Sequence, residues 1–106
     1  MATDNDQVSR ECGNGWKELI DPIVTRANEI GATIMQIKEK FGMLRIYFDP
    51  GHTDCDELED MVDKSELDSA TRCEMCGLPS HMMVKGGWYK TLCKEHAIDL
   101  GYKGKA

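Results

Sequence analysis

The sequence predicts an α+β fold with four parts in order: a helix, a β-hairpin, a second helix, and a C-terminal finger built from a second hairpin and a short helix. Three observations carry that expectation. Apolar residues recur at three-then-four spacing in two stretches, they alternate in the stretch between, and two pairs of metal-ligating side chains fall within residues 73–96. A chain of 106 residues matches about one domain, at a size where the core is small and a staple adds much to stability.

Residues 1–12, "MATDNDQVSREC", are polar and aperiodic and read as a flexible N-terminus. Residues 13–72 then form a helix, hairpin, helix layer, and 73–106 form the finger, the two packing together as one compact domain. Trp16, Leu19, Ile20, Ile23, Val24, Ala27 and Ile30 share one helix face, and Gly31 ends it. Pro22 lies inside this pattern, where it lacks an amide donor; a kink, or a helix proper that begins at Asp21-Pro22, is expected.

In "TIMQIKEKFGMLRIYFDP" the period changes to two: Met35 and Ile37 on one strand, Leu44, Ile46 and Phe48 on the other. Gly42 makes a tight hairpin the simplest connection, and Pro50-Gly51 ends the second strand. The charges of "KEKFGMLR" beside Phe41 and Leu44, both expected to be buried, read as ordinary hairpin surface. Helical spacing returns through Leu58, Met61, Val62 and Ser65, with Thr53 or Asp54 as the cap and acids crowding the first turns, where the helix dipole favours them.

The C-terminal stretch "RCEMCGLPSHMMVKGGWYKTLCKEH" carries the chemistry. Cys73-x2-Cys76 and Cys93-x2-His96 are two chelating pairs separated by sixteen residues. Three thiolates and one imidazole form a closed tetrahedral donor set of the kind zinc prefers, with no position left for water, so one structural Zn2+ is expected. The lone histidine disfavours an iron–sulfur cluster. Between the pairs a hairpin turns at Lys85-Gly86-Gly87, with Met82 and Val84 on one strand and Trp88 to Leu92 on the other. Cys93 opens a helix that stops near Gly101. Trp88 is expected in the small core over the metal. His52, Cys55, Cys12 and His81 have the chemistry for a second site, but Cys12 stands alone and His52 follows a Pro-Gly turn. Cys12 and Cys55 read as unpaired thiols near the core, and His81 as a strand-surface residue.

A knuckle, a hairpin and a helix whose first turn supplies the last two ligands resemble a treble-clef zinc finger over residues 73 to about 100. Beyond it, "ECGNGW", "QIKEKFGMLRIYF" and "CEMCG…GGWYKTLCKEH" resemble a group of small, largely uncharacterised bacterial and phage proteins. That resemblance implies the order of elements and the four ligand positions; it implies no activity.

The net charge of −6 is uneven: −8 over residues 1–72 and +2 over 73–106. Whole-chain attraction to nucleic acid is therefore disfavoured. The N-terminus lacks the apolar core of a signal peptide, and no apolar run approaches ~18 residues, so a cytoplasmic location without membrane contact is expected, in the host cytoplasm if the chain is phage-borne. A reducing compartment favours metal binding over disulfides. No deaminase, zincin, phosphate-loop or nucleophile-elbow motif occurs, so neither catalysis nor a small-molecule substrate is expected. The expected role is protein binding, as a phage-type inhibitor or adaptor acting on a host complex, through the acidic helix with Asp56, Glu57, Asp60 and Asp63. The alternative is nucleic-acid binding by Lys85, Trp88, Tyr89 and Lys90 in the segment 85–94, where cations stand beside aromatics.

Overall fold

The computed structural model describes residues 5–51 and 54–104. Thr53 as a helix cap and His52 as a metal ligand lie outside the described residues. The expected α+β order is observed. Strand β1 (Arg10–Glu11) leads through a 3-10 turn at Asn14–Trp16 into helix α1 (Lys17–Ile30). Strands β2 (Thr33–Lys40) and β3 (Met43–Asp49) follow, then helix α2 (Asp56–Ser69). The finger holds β4 (His81–Lys85), β5 (Trp88–Leu92), helix α3 (Lys94–Leu100) and β6 (Lys103–Gly104). The sheets run β1-β2-β3 and β5-β4-β6.

The first core lies between one face of the β2–β3 hairpin and the two long helices. Trp16, Ile20, Ile23, Val24 and Ala27 meet Ile34, Ile37, Leu44 and Ile46 from the sheet and Leu58 and Val62 from α2. Helix α2 also covers the outer edge of β3. The Leu44 amide donates to Ser69 Oγ at 2.9 Å and the Ile46 amide to a Glu66 carboxylate oxygen at 3.1 Å. Strand donors that would otherwise invite another strand are satisfied by helix side chains.

Three expectations need correction here. Helix α1 runs through Pro22 as one element from Lys17. The donor that proline lacks would serve the carbonyl of Glu18, an exposed residue of the first turn, where losing it costs little. Met35 points out, 64% exposed, while Ile34 and Ile37 are buried. A β-bulge between Ile34 and Gln36 shifts the register, so the inward positions fall three apart instead of two. The stretch expected to be loose is placed from residue 5 onward. Asn5, 2% exposed, donates from its side-chain amide to Asn28 Oδ1 and the Ala32 carbonyl, both at 2.9 Å, and its Oδ1 accepts the Ile34 amide at 2.8 Å. Strand β1 then adds in parallel to β2, Arg10 beside Ile37 and Glu11 beside Lys38.

The β2–β3 connection is the expected tight hairpin, closed by the two residues Phe41 and Gly42, but Phe41 is not buried. Phe41 and Gly42 both take positive φ, +53° and +82°, the conformation of a turn matched to strand twist. Glycine adopts this freely; phenylalanine does not, and the Phe41 ring is 66% exposed. Phe41→Asn is expected to raise stability by about 1 kcal/mol, because asparagine tolerates the left-handed region and the ring buries little. A thermal melt showing the variant less stable than the parent would contradict this account of the turn.

Candidate metal centre

The knuckle that carries Cys73 and Cys76 is shaped by backbone hydrogen bonds. The Gly77 amide returns to the Cys73 carbonyl at 2.8 Å, and the Cys73 amide donates to the Leu78 carbonyl at 2.8 Å. The other two ligands come from the start of α3: Cys93 stands at its N-cap, extended, and His96 lies in its first turn. Hairpin β4–β5, closed by the Gly86-Gly87 turn, brings the two pairs together.

All four donor atoms lie within 4.8 Å of one another. Cys76 Sγ and Cys93 Sγ are 3.8 Å apart, Cys73 Sγ and His96 Nδ1 3.7 Å, and Cys93 Sγ and His96 Nδ1 3.1 Å. A tetrahedron with metal–sulfur bonds of about 2.3 Å has sulfur–sulfur edges of about 3.8 Å, so these residues fit one metal ion. At Cys73 the surroundings favour thiolate, whereas Cys76 is raised. Burial pushes the Cys73 thiol up, but backbone amides of Cys93, Met75 and Cys76 directed at the sulfur outweigh it and lower it to about 7. The Cys93 and Cys73 sulfurs hold His96 above the usual imidazole value, the Cys93 contact acting most. By contrast Cys12 is raised to about 11, by burial first and then by the Glu74 carboxylate; it packs as a free thiol against the first core, as Cys55 does. His81 is exposed on β4, as expected for a strand-surface residue.

Around the ligands the finger's own apolar core is small: Cys73, Leu92, Cys93 and Ala97, with Met83 and Tyr102 packed against them. Trp88 is not part of it. The turn places Trp88 at the far end of β5 from Cys93, and its ring is 74% exposed. Strand β6, which pairs with β4 at Met83 and Val84, carried no signal in the sequence beyond a polar tail.

The finger is tied to the first layer at two places. At one, the Gly15 amide donates to the Glu74 carbonyl at 2.7 Å, the Gly13 amide to the Glu74 carboxylate at 3.0 Å, and the Trp16 indole N–H to the Arg72 carbonyl at 3.0 Å. At the other, Thr91 Oγ1 donates to the Gly42 carbonyl at 2.7 Å, and Lys90 Nζ bridges Glu74 at 3.0 Å and Glu39 at 3.3 Å. Burial alone would lower the Lys90 ammonium; Glu74 and Glu39 reverse that and raise it. Glu74, 3% exposed, is thus a buried carboxylate compensated by a cation and an amide, and sequence reasoning missed it, because its partners lie 16 and 61 residues away.

The other expected contact residues are dispersed. Asp56, Glu57, Asp60 and Asp63 are exposed on α2, with Glu57 held by Arg26 at 3.1 Å. Lys85 donates to the Leu100 carbonyl at 3.0 Å and stands over the Tyr102 ring, and Tyr89 is half-buried. Lys90 faces Glu74 and Glu39, so the expected basic set 85–94 is weaker in the fold than along the chain. No helix among the described residues is long and apolar enough to cross a membrane.

The fold and the donor set define the class: a small α+β protein whose C-terminal finger carries a Cys3His group able to hold one metal ion. Beyond the class, neither a family model, a curated protein nor a solved structure matches this chain.

Proposed function

We propose that the chain is a zinc-stabilised protein-binding module whose contact face is the acidic side of α2. Zinc is the metal that three thiolates and one imidazole at tetrahedral spacing suit best, and four protein donors leave it no open position, which supports a structural role over catalysis. The observation that carries the reading is the groove between β3 and α2. It has a volume of about 630 Å³ and is lined by Tyr47, Phe48 and Pro50 on one side and by Asp54, Asp56, Glu59 and Asp63 on the other. None of those four acids has an ion-pair partner among the described residues. An apolar floor with an unneutralised acidic rim suits a basic segment with an apolar anchor. The partner's contact region is then the kind of basic groove that otherwise takes nucleic acid, as for a phage-type inhibitor or adaptor.

The test is affinity capture of the tagged, zinc-loaded protein from host lysate after nuclease treatment, beside a variant with Asp56, Glu59, Asp60 and Asp63 all changed to lysine. A specific protein at near-stoichiometric recovery, reduced about tenfold or more in the variant, is the expected result. Equal recovery by parent and variant would refute the assignment of this face.

A further inference from the structure

We propose a second contact surface, beyond the protein-binding reading of α2: the outward face of the β2–β3 hairpin, continued by Trp88, is a stacking platform for single-stranded nucleic acid. Cross-strand partners share a face of a sheet, and the pairs Gln36 with Tyr47, Lys38 with Arg45, and Lys40 with Met43 define the one that looks away from the core. None of these six side chains is buried. Lys38 Nζ lies 5.8 Å from the centre of the Tyr47 ring and Lys40 Nζ 5.7 Å from that of Phe41. Neither lysine has an ion pair among the described residues. Of the nearby carboxylates, Glu66 pairs with Arg45 and Glu39 takes Lys90, while Glu11, beside Lys38 on the neighbouring strand, accepts from Gln36.

Past the hairpin tip, Phe41, Trp88, Lys40 and the Gly86-Gly87 turn line a cleft of about 520 Å³. Phe41 is the telling residue. It holds a backbone conformation that costs a phenylalanine stability, and its ring serves neither the turn nor the core but stands exposed at the surface. Exposed rings for stacking, with free ammonium groups beside them for phosphate, are the two components of sequence-tolerant single-strand binding. The acids of the first turns of α2 lie away from this end, and Glu39, which lines the cleft, is paired with Lys90. Ser69, at the end of α2, meets Leu44 near the tip, whereas Asp54 and Asp56 lie by Phe48 and Pro50 at the other end of β3.

The probe is a fluorescein-labelled 12-nucleotide oligothymidylate, titrated with the zinc-loaded full chain and read by anisotropy. Binding is expected with a dissociation constant on the order of 10 μM at 50 mM salt, weakening about sevenfold at 200 mM if two phosphates are contacted. Phe41→Asn, which keeps the turn, is expected to weaken binding about tenfold, as is Trp88→Ala. The double change Lys38→Glu with Lys40→Glu removes the salt dependence together with most of the affinity. An abasic 12-mer should bind about tenfold more weakly than the oligothymidylate. Three results would overturn the proposal: no anisotropy change at 50 mM salt with protein at about 200 μM, equal affinity for the abasic strand, or full competition by a 12-residue polyglutamate. The last would reassign the platform to an acidic polypeptide. A folded Phe41→Asn variant that binds as the parent does would also overturn it.

Discussion

A stoichiometric strong chelator, or the change Cys73→Ser, is expected to unfold at least residues 73–100. The finger's own core amounts to four buried residues, two of which are the ligands Cys73 and Cys93, so little holds β4, β5 and α3 together once the metal leaves. Metal-binding free energies of about 10–16 kcal/mol in comparable small fingers are as large as the whole stability of an ordinary domain, and a metal held by these four residues would be coupled to folding in the same way. The measurement is amide exchange with a thermal melt in parallel: protection at Leu92 and Ala97 should be lost on chelation. Retention of a native, cooperative transition would count against the site. Acid should act as the chelator does. Ligands bind as thiolate and neutral imidazole, so protons compete with the metal. Cys73 is lowered to about 7 in the metal-free site but Cys76 is raised, so retention should weaken progressively as pH falls.

Gly15→Ala is expected to cost about 3 kcal/mol or more, enough to lower the melting temperature by about 15 °C. A Cβ at this position would sit 2.0 Å from the Cys73 carbonyl oxygen and 2.6 Å from the Glu74 carbonyl, both rigid backbone of the metal knuckle. Something must move, and the nearest groups to give way are those that join the two halves of the molecule. The Gly15 amide to Glu74 bond and the indole to Arg72 bond would break together, leaving Trp16, fully buried, with an unpaired N–H. The same displacement loosens Cys73, so the variant should also release metal more readily than the parent. An unshifted melt would mean that the first layer and the finger do not depend on this contact.

Near Gly15 the sequence was a poor guide, and the reason is range. "ECGNGW" shows two glycines in a polar stretch, which signals a turn; that Gly15 lies against a carbonyl 58 residues later is invisible along the chain. The same holds for Glu74 and Lys90. Each reads as a surface charge, and only the packing of the knuckle along β5 pairs them, with the hairpin tip adding Glu39.

The sequence by itself determined the order of helix, hairpin, helix and finger, the helix faces of α1 and α2, a tight turn in each hairpin and four candidate metal donors. Each of these is encoded within a few residues, by a 3.6- or 2-residue period, by glycines at turns, or by ligands two residues apart on a short loop. Tertiary structure alone decided which residues face the solvent where period and packing disagree. The bulge at Ile34/Gln36 turned Met35 outward, and the position of the turns put Phe41 and Trp88 on the surface. A buried site for Asn5 drew a polar segment onto the core through three hydrogen bonds of its side chain, to Asn28, Ala32 and Ile34. In each case the deciding contact joins residues far apart in the chain, and its free energy exists only once the elements have met.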